Sequence, residues 1–224
     1  MISKFTKFEK YLLIFGITIN IVIAYLTNSS LIALFNALAA ITGSVLTAKG
    51  SPFGYVFSLI ETVTYIVISY EERYYAEVLI NMFGFIPLSI YGFIAWLKNM
   101  NGETKAITVK TLSKKEVIIS FSSQIVLAYF YYKLLVYFDT NMPIISTVSL
   151  ILTILGMYYG TRMSILTYEI YIVHCLIKSV LWIIPIFNGN LDNAPVLVAT
   201  FLYLISDIYG IINWNRLKKI QKEN

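Results

Sequence analysis

The 224-residue chain has a single cysteine, Cys175, a single histidine, His174, and only 13% charged side chains. One thiol excludes an intramolecular disulfide and any cysteine-cluster metal site. One imidazole argues against a His-based zinc site and against a Ser-His-Asp relay. Walker-type and dinucleotide-binding glycine loops are missing, and so are HExxH and paired-aspartate motifs, so the sequence signals no catalytic residue, metal or cofactor. Disorder is excluded as well, because it needs low hydrophobicity and high net charge. What fills the chain instead is apolar: 58% of its residues are hydrophobic, against about 45–50% in soluble domains. A water-exposed fold cannot bury that much apolar surface, and the chain reads as an all-α integral membrane protein.

A spanning helix needs about 20 mostly apolar residues. Between charge clusters and turn residues the sequence offers eight: 11–26, 31–48, 53–69, 75–97, 117–138, 143–160, 165–186 and 195–214. Breaks fall at Thr27-Asn28-Ser29-Ser30, Gly50-Ser51-Pro52, Asp139-Thr140-Asn141 and Asn188-Gly189-Asn190, where turn chemistry is concentrated. The one long connection, Lys98 to Glu116, is polar and divides the chain. Lys4, Lys7 and Lys10 precede the first span, but no A-x-A-like cleavage site follows it, so it reads as a retained helix.

Eight spans put both ends on one side, and that side collects 14 of the 17 Lys and Arg residues. The opposite loops hold only Arg73, while Lys133 and Lys178 fall inside spans. The positive-inside rule then places both termini in the cytoplasm. The +5 balance reflects that bias and attraction to the lipid bilayer rather than to nucleic acid.

The chain also repeats. A shift of 113 residues brings Gly43 onto Gly156, Lys49 onto Arg162, Tyr55 onto Tyr168 and Val67 onto Val180. A shift of 118 brings Tyr91-Gly92-x-x-x-Trp96 onto Tyr209-Gly210-x-x-x-Trp214. The implied plan is an extra N-terminal helix (1–30), a three-helix repeat (31–97), a loop and linking helix (98–138), a second three-helix repeat (139–214) and a basic tail (215–224). One linking span gives both triplets the same orientation, and parallel repeats of this kind place a substrate site near the midplane between the halves.

Polar side chains deep in a span are costly and turn toward a cavity. Those expected at the site are Glu61, Tyr65, Asn81, Phe85, Ser89, Tyr168, Tyr171, His174, Lys178 and Asp207. Helical spacing groups them: Ser58, Glu61, Thr62 and Tyr65 share a face, as do Asn81, Phe85 and Ser89, and again Tyr168, Tyr171, His174 and Lys178. The 113 shift puts Glu61 on His174, and the 118 shift puts Ser89 on Asp207. Plainer readings stand beside these. His174 can be a packing histidine bonded to a carbonyl, and Lys178 can form a structural ion pair with Asp207 or Glu169. Lys133 can snorkel to the outer boundary, and Glu77 can be solvated at an outer helix end. The four repeated glycines read as close-packing points between helices.

Two stretches carry a resemblance: Thr47-Ala48-Lys49-Gly50 leading into Tyr55-Val56-Phe57-Ser58-Leu59-Ile60-Glu61, and Tyr74 through Pro87 followed by Tyr91-Gly92 ahead of Trp96. They resemble the PnuC-type vitamin transporters over roughly residues 31–214. That resemblance implies uptake of nicotinamide riboside, a precursor of NAD, with relatives handling thiamine and riboflavin. It implies a three-plus-one-plus-three fold like the full-length SWEET carriers, a homotrimer in the cell inner membrane, facilitated diffusion, and trapping by phosphorylation in the cytoplasm. Asn81 matches the family pattern; Glu61 replaces an amide, Ser89 a glutamine, and Tyr168 and Tyr171 tryptophans. Chemically, tyrosine faces suit a flat ring, and amide, hydroxyl and carboxylate groups suit ribose hydroxyls. Alternatives of other classes are a ligand-sensing membrane receptor, an intramembrane enzyme, and a retinal-type photoreceptor built on Lys178.

Overall fold

In the computed structural model, which describes residues 4–102 and 104–223, the chain is a bundle of helices joined by short turns and one long connection between Lys98 and Lys114. Helix α1 (Lys7–Thr27) starts at a capping box in which Thr6 Oγ1 accepts from the Glu9 amide at 3.2 Å and Glu9 Oε2 accepts from the Thr6 amide at 2.7 Å. It stops at Asn28, whose φ of 49° is left-handed. Ser30 caps α2 (Leu31–Ala48), and α3 (Gly54–Glu71) follows the Gly50 turn. The next span is α4 (Tyr75–Ile80), a π-helical turn (Asn81–Phe85) and α5 (Ile86–Lys98) in one continuous run. Pro87 explains the widened turn, because its ring crowds the carbonyl one turn earlier and it has no amide to donate. Ser113 caps α6 (Lys114–Tyr137), and α7 (Pro143–Thr161), α8 (Leu166–Phe187) and α9 (Ala194–Glu223) complete the bundle.

Seven helical runs among the described residues are long and apolar enough to cross a membrane, with Glu77–Lys98 counted as one. The eighth expected span, α3, has 18 residues and is more polar because of the face that carries Ser58, Glu61, Thr62 and Tyr65. Large apolar side chains cover the outside, Tyr11, Phe15, Phe35, Ile119, Val126, Phe130 and Ile212 among them. Helix α6 buries only Gln124 and Leu135. An apolar surface this continuous belongs in lipid, so the chain is a multi-pass membrane protein.

The turns gather at two faces. On the face opposite the termini, Glu72 Oε1 accepts from the side-chain amides of Asn190 and Asn193, both at 2.8 Å, and its carbonyl accepts from Asn141 at 3.0 Å. An Arg73–Asp139 ion pair lies beside them.

On the basic face the long connection is more than a polar linker. The Ile107 amide donates to the Gly50 carbonyl at 3.1 Å, and Gln221 bonds both Val109 and Ile107 at 2.9 Å. Ala106, Ile107 and Val109 are buried against Trp96, Met163, Tyr168, Trp214 and Leu217. Residues 215–223, expected as a basic tail, continue α9 and contribute Leu217 to this plug.

Lys49, expected as a loop charge, is buried. Its Nζ pairs with Glu9 Oε2 at 2.9 Å, takes the Lys4 carbonyl at 2.8 Å and lies 4.4 Å from the Phe5 ring centre. Tyr209 Oη donates to the other Glu9 oxygen at 2.8 Å. A more exposed counterpart joins the start of α6 to the end of α7: Arg162 reaches Glu116 at 2.9 Å, and Tyr158 donates to it at 2.7 Å. Removing one member of a buried pair leaves the other charge unpaired. Glu9→Gln is therefore expected to destabilise by about 3 kcal/mol, and Glu116→Gln by less than about 1 kcal/mol. Thermal melts in detergent check this; equal shifts would show that the Glu9 pair is solvated.

Candidate functional site

A cavity of about 130 Å³ lies between the two helix triplets. Helices α2 to α5 and α7 to α9 all line it; α1 and α6 contribute nothing to it. Every one of the ten residues expected at the site is on its wall: Glu61 and Tyr65 from α3, Asn81 and Phe85 from the π-helical turn, Ser89 from α5, Tyr168, Tyr171, His174 and Lys178 from α8, and Asp207 from α9. They converge for one reason. A polar group on a spanning helix is driven away from lipid, and each of these helices has one polar stripe to turn inward.

The end of the cavity near the basic face is built of tyrosines seated on glycines. A Cβ at Gly92 would lie 2.5 Å from the Tyr55 ring, one at Gly210 would lie 2.5 Å from the Tyr168 ring, and one at Gly156 would lie 2.4 Å from the Tyr171 ring. These three glycines admit aromatic rings, a more specific role than helix-to-helix contact, whereas a Cβ at Gly43 would meet the backbone of α3 at 3.3 Å. Tyr55 stacks edge-on against Trp96 at 4.8 Å, Tyr168 against Trp214 at 4.9 Å, and the two indoles lie 5.5 Å apart. Tyr168 Oη donates to the Thr47 carbonyl at 3.0 Å. Gly210→Ala would push Tyr168 off both Trp214 and Thr47. An overpacking cost of about 1–3 kcal/mol should appear as a lower melting temperature, and an unshifted melt would mean that Tyr168 moves freely.

The opposite end is closed by Tyr65, Tyr74 and Trp182. Trp182 Nε1 donates to Tyr65 Oη at 3.1 Å, and Tyr74 Oη donates to the Leu181 carbonyl at 2.7 Å. Tyr74 and Trp182 meet edge to face at 5.6 Å.

The side wall corrects two expectations. Glu77 is not solvated at a helix end: it is 2% exposed and accepts from Ser149 Oγ at 2.7 Å. Among the described residues His174 bonds no carbonyl; its Nε2 faces the hydroxyls of Thr153 at 3.0 Å and Ser149 at 3.2 Å. A hydrolytic relay would need the carboxylate on the far nitrogen of the imidazole. Here Glu77 meets the serine instead, so the group is a hydrogen-bonded wall rather than an activated nucleophile.

Lys178 provides a third correction. Among the described residues no ion pair joins it to Asp207 or Glu169, and Glu169 is exposed, away from the cavity. The Lys178 ammonium lies 4.0 Å from the centre of the Tyr65 ring and 5.9 Å from that of Tyr203. Lys133, expected to snorkel, is exposed and lies 5.7 Å from the Tyr129 ring. The Asn81 amide donates to the Glu77 carbonyl at 2.6 Å, and Ser89 Oγ is buried with no hydrogen-bond partner among the described residues. Asp207 Oδ2 lies 3.7 Å from the Cys175 thiol.

Glu77, Tyr203, Tyr55, Thr153 and Cys175 also line the cavity without having been expected there. The sequence carried a signal for two of them. Glu77, Asn81, Phe85 and Ser89 follow at intervals of four, as do Tyr203 and Asp207, and i, i+4 residues share a helix face.

Comparison with known proteins agrees with this architecture. The family model described as nicotinamide mononucleotide transporter matches residues 30–216. A relative, the nicotinamide riboside transporter PnuC of Neisseria mucosa, is 26% identical over 223 residues, covering 98% of this chain and 85% of its own. A crystal structure of the vitamin B3 transporter PnuC superimposes with a TM-score of 0.86 at 24% identity, covering 96% of this chain and 94% of that one, which is a likeness of fold. The matched region begins at the cap of α2 and ends within α9, so it holds every helix that lines the cavity. The chain therefore belongs to the nicotinamide mononucleotide transporter family of membrane transporters.

Proposed function

We propose that this protein carries nicotinamide riboside across the membrane by facilitated diffusion, with the cavity as the single site exposed alternately to each side. The charge balance of the cavity carries the reading. Three carboxyl side chains, Glu61, Glu77 and Asp207, line it against one ammonium, Lys178. A pyridinium ring bearing a neutral ribose suits that balance and the surrounding tyrosines. A phosphate would bring negative charge that Lys178 alone could answer, which favours the riboside over the mononucleotide. The relative named for nicotinamide riboside supports the same choice. In this reading the ten wall residues form the site: aromatic faces hold the ring, Asn81, Ser89 and the carboxylates hold the hydroxyls, and Lys178 balances the carboxylate charge. Phosphorylation in the cytoplasm then traps the product and keeps the gradient inward.

The two triplets act as parallel repeats, 31–97 and 139–214, in a SWEET-like three-plus-one-plus-three plan. The Tyr55–Gly92–Trp96 cluster and the Tyr168–Gly210–Trp214 cluster support this, since corresponding residues make corresponding contacts. The positive bias supports cytoplasmic termini in a cell inner membrane, and the mostly exposed α6 leaves a flank for the homotrimer that the resemblance implies. Uncoupled exchange needs only that the ligand shift the populations of two states. The experiment is equilibration of labelled nicotinamide riboside into proteoliposomes without ATP, with thiamine, riboflavin, deoxynucleosides and the mononucleotide as competitors. Binding without equilibration would make the protein a sensor, and stronger competition by thiamine would change the substrate.

A further inference from the structure

Lys178 is the unusual member of the cavity. It is 7% exposed and its Nζ meets ring faces, 4.0 Å from Tyr65 and 5.9 Å from Tyr203, with no hydrogen bond or ion pair to any described residue. A buried cation without a direct partner is costly, and lysine stems are flexible enough to move a charge elsewhere. The ammonium interacts at longer range with the Glu61 and Glu77 carboxylates. It therefore already occupies what a cationic ligand would seek, an aromatic face within electrostatic range of two carboxylates.

We infer that Lys178 is a tethered counter-cation: it holds the ring-and-carboxylate subsite of the unloaded carrier and is displaced by the cationic ring of the substrate. The inference rests on the cationic-nucleoside reading above and adds to it a competitor built into the site. Two consequences follow. The apparent affinity for a cation is lowered by the fraction of carriers in which Lys178 occupies the subsite. The unloaded carrier, in turn, reorients with its carboxylates compensated, so the return step of net uptake depends on Lys178 while substrate-for-substrate exchange does not.

The test uses the full chain, unaltered and as Lys178→Met, with nicotinamide riboside and its uncharged 1,4-dihydro form as probes in calorimetry. Lys178→Met should bind the cationic form about tenfold more tightly and the uncharged form unchanged. In proteoliposomes its exchange should persist while net uptake slows severalfold. Lys178→Gln, which keeps chain length and polarity without charge, should move in the same direction and serves if the methionine variant does not fold. Weaker binding of both forms would show that Lys178 donates to the substrate, and this would overturn the proposal; unchanged affinity for the cation would do the same. If the unaltered protein binds neither form, the substrate reading itself falls and takes the counter-cation with it.

Discussion

Glu61→Gln should weaken binding of nicotinamide riboside about ten- to a hundredfold while leaving its uncharged dihydro form within about twofold. The range corresponds to the roughly 1.5–3 kcal/mol of an interaction with a charged partner. The substitution is a clean one. The backbone carbonyl of Glu61 accepts from Asn36 at 2.8 Å, and the same amide reaches Thr64 Oγ1 at 2.9 Å. These bonds tie α3 to α2 through the main chain and a neighbour, so removing the carboxylate charge leaves the helix in place. Calorimetry with both ligands separates charge pairing from shape. An equal loss for the two would make Glu61 a structural residue and would leave the charge argument without its main support.

The second large effect concerns stability. Trp96 and Trp214 are both fully buried and 5.5 Å apart, but they are not equivalent: Trp96 Nε1 donates to the Gly160 carbonyl at 3.0 Å, whereas Trp214 Nε1 makes no well-formed hydrogen bond among the described residues. Trp96→Ala should cost about 3–5 kcal/mol, through lost apolar burial and the cavity left behind. Phenylalanine separates ring from hydrogen bond. Trp96→Phe removes one bond from the Gly160 carbonyl, which keeps the Met163 amide at 2.9 Å, and should cost about 1 kcal/mol. Trp214→Phe removes a donor without a well-formed hydrogen bond and should cost less. Melting in detergent reads the order, and equal losses for the two phenylalanine variants would sink the claimed asymmetry. That asymmetry arises because the acceptor corresponding to Gly160, the Thr47 carbonyl, is taken by the Tyr168 hydroxyl.

One strong penalty made the cavity legible in the residues. Hydrocarbon tolerates few polar side chains, so Glu61, Asn81, His174, Lys178 and Asp207 announce a cavity by standing in apolar runs, and all five line it. The glycine–aromatic pairs were legible as a repeat, but not as ring seats: Gly92 and Tyr55 are 37 positions apart, and nothing local to either shows that they meet. Glu77 was misplaced because its position near a helix start resembles a solvated end. Ser149, brought in by the fold, donates to it, and the side chain is buried. The connection after Lys98 looked like a polar linker because Ala106, Ile107 and Val109 are too few to stand out.

Sequence alone determined the membrane environment, the charge bias between the two faces and the stripe that each helix turns inward, because these follow from composition and from the 3.6-residue period of a single helix. Tertiary structure decided who meets whom: Lys178 on the Tyr65 ring instead of a carboxylate, Lys49 buried on Glu9, His174 held by two hydroxyls, and Ile107 closing the basic face. Periodicity sets the face on which a side chain lies. The partner across the gap depends on the rotation and depth of a second helix, which packing fixes only once the whole bundle has closed.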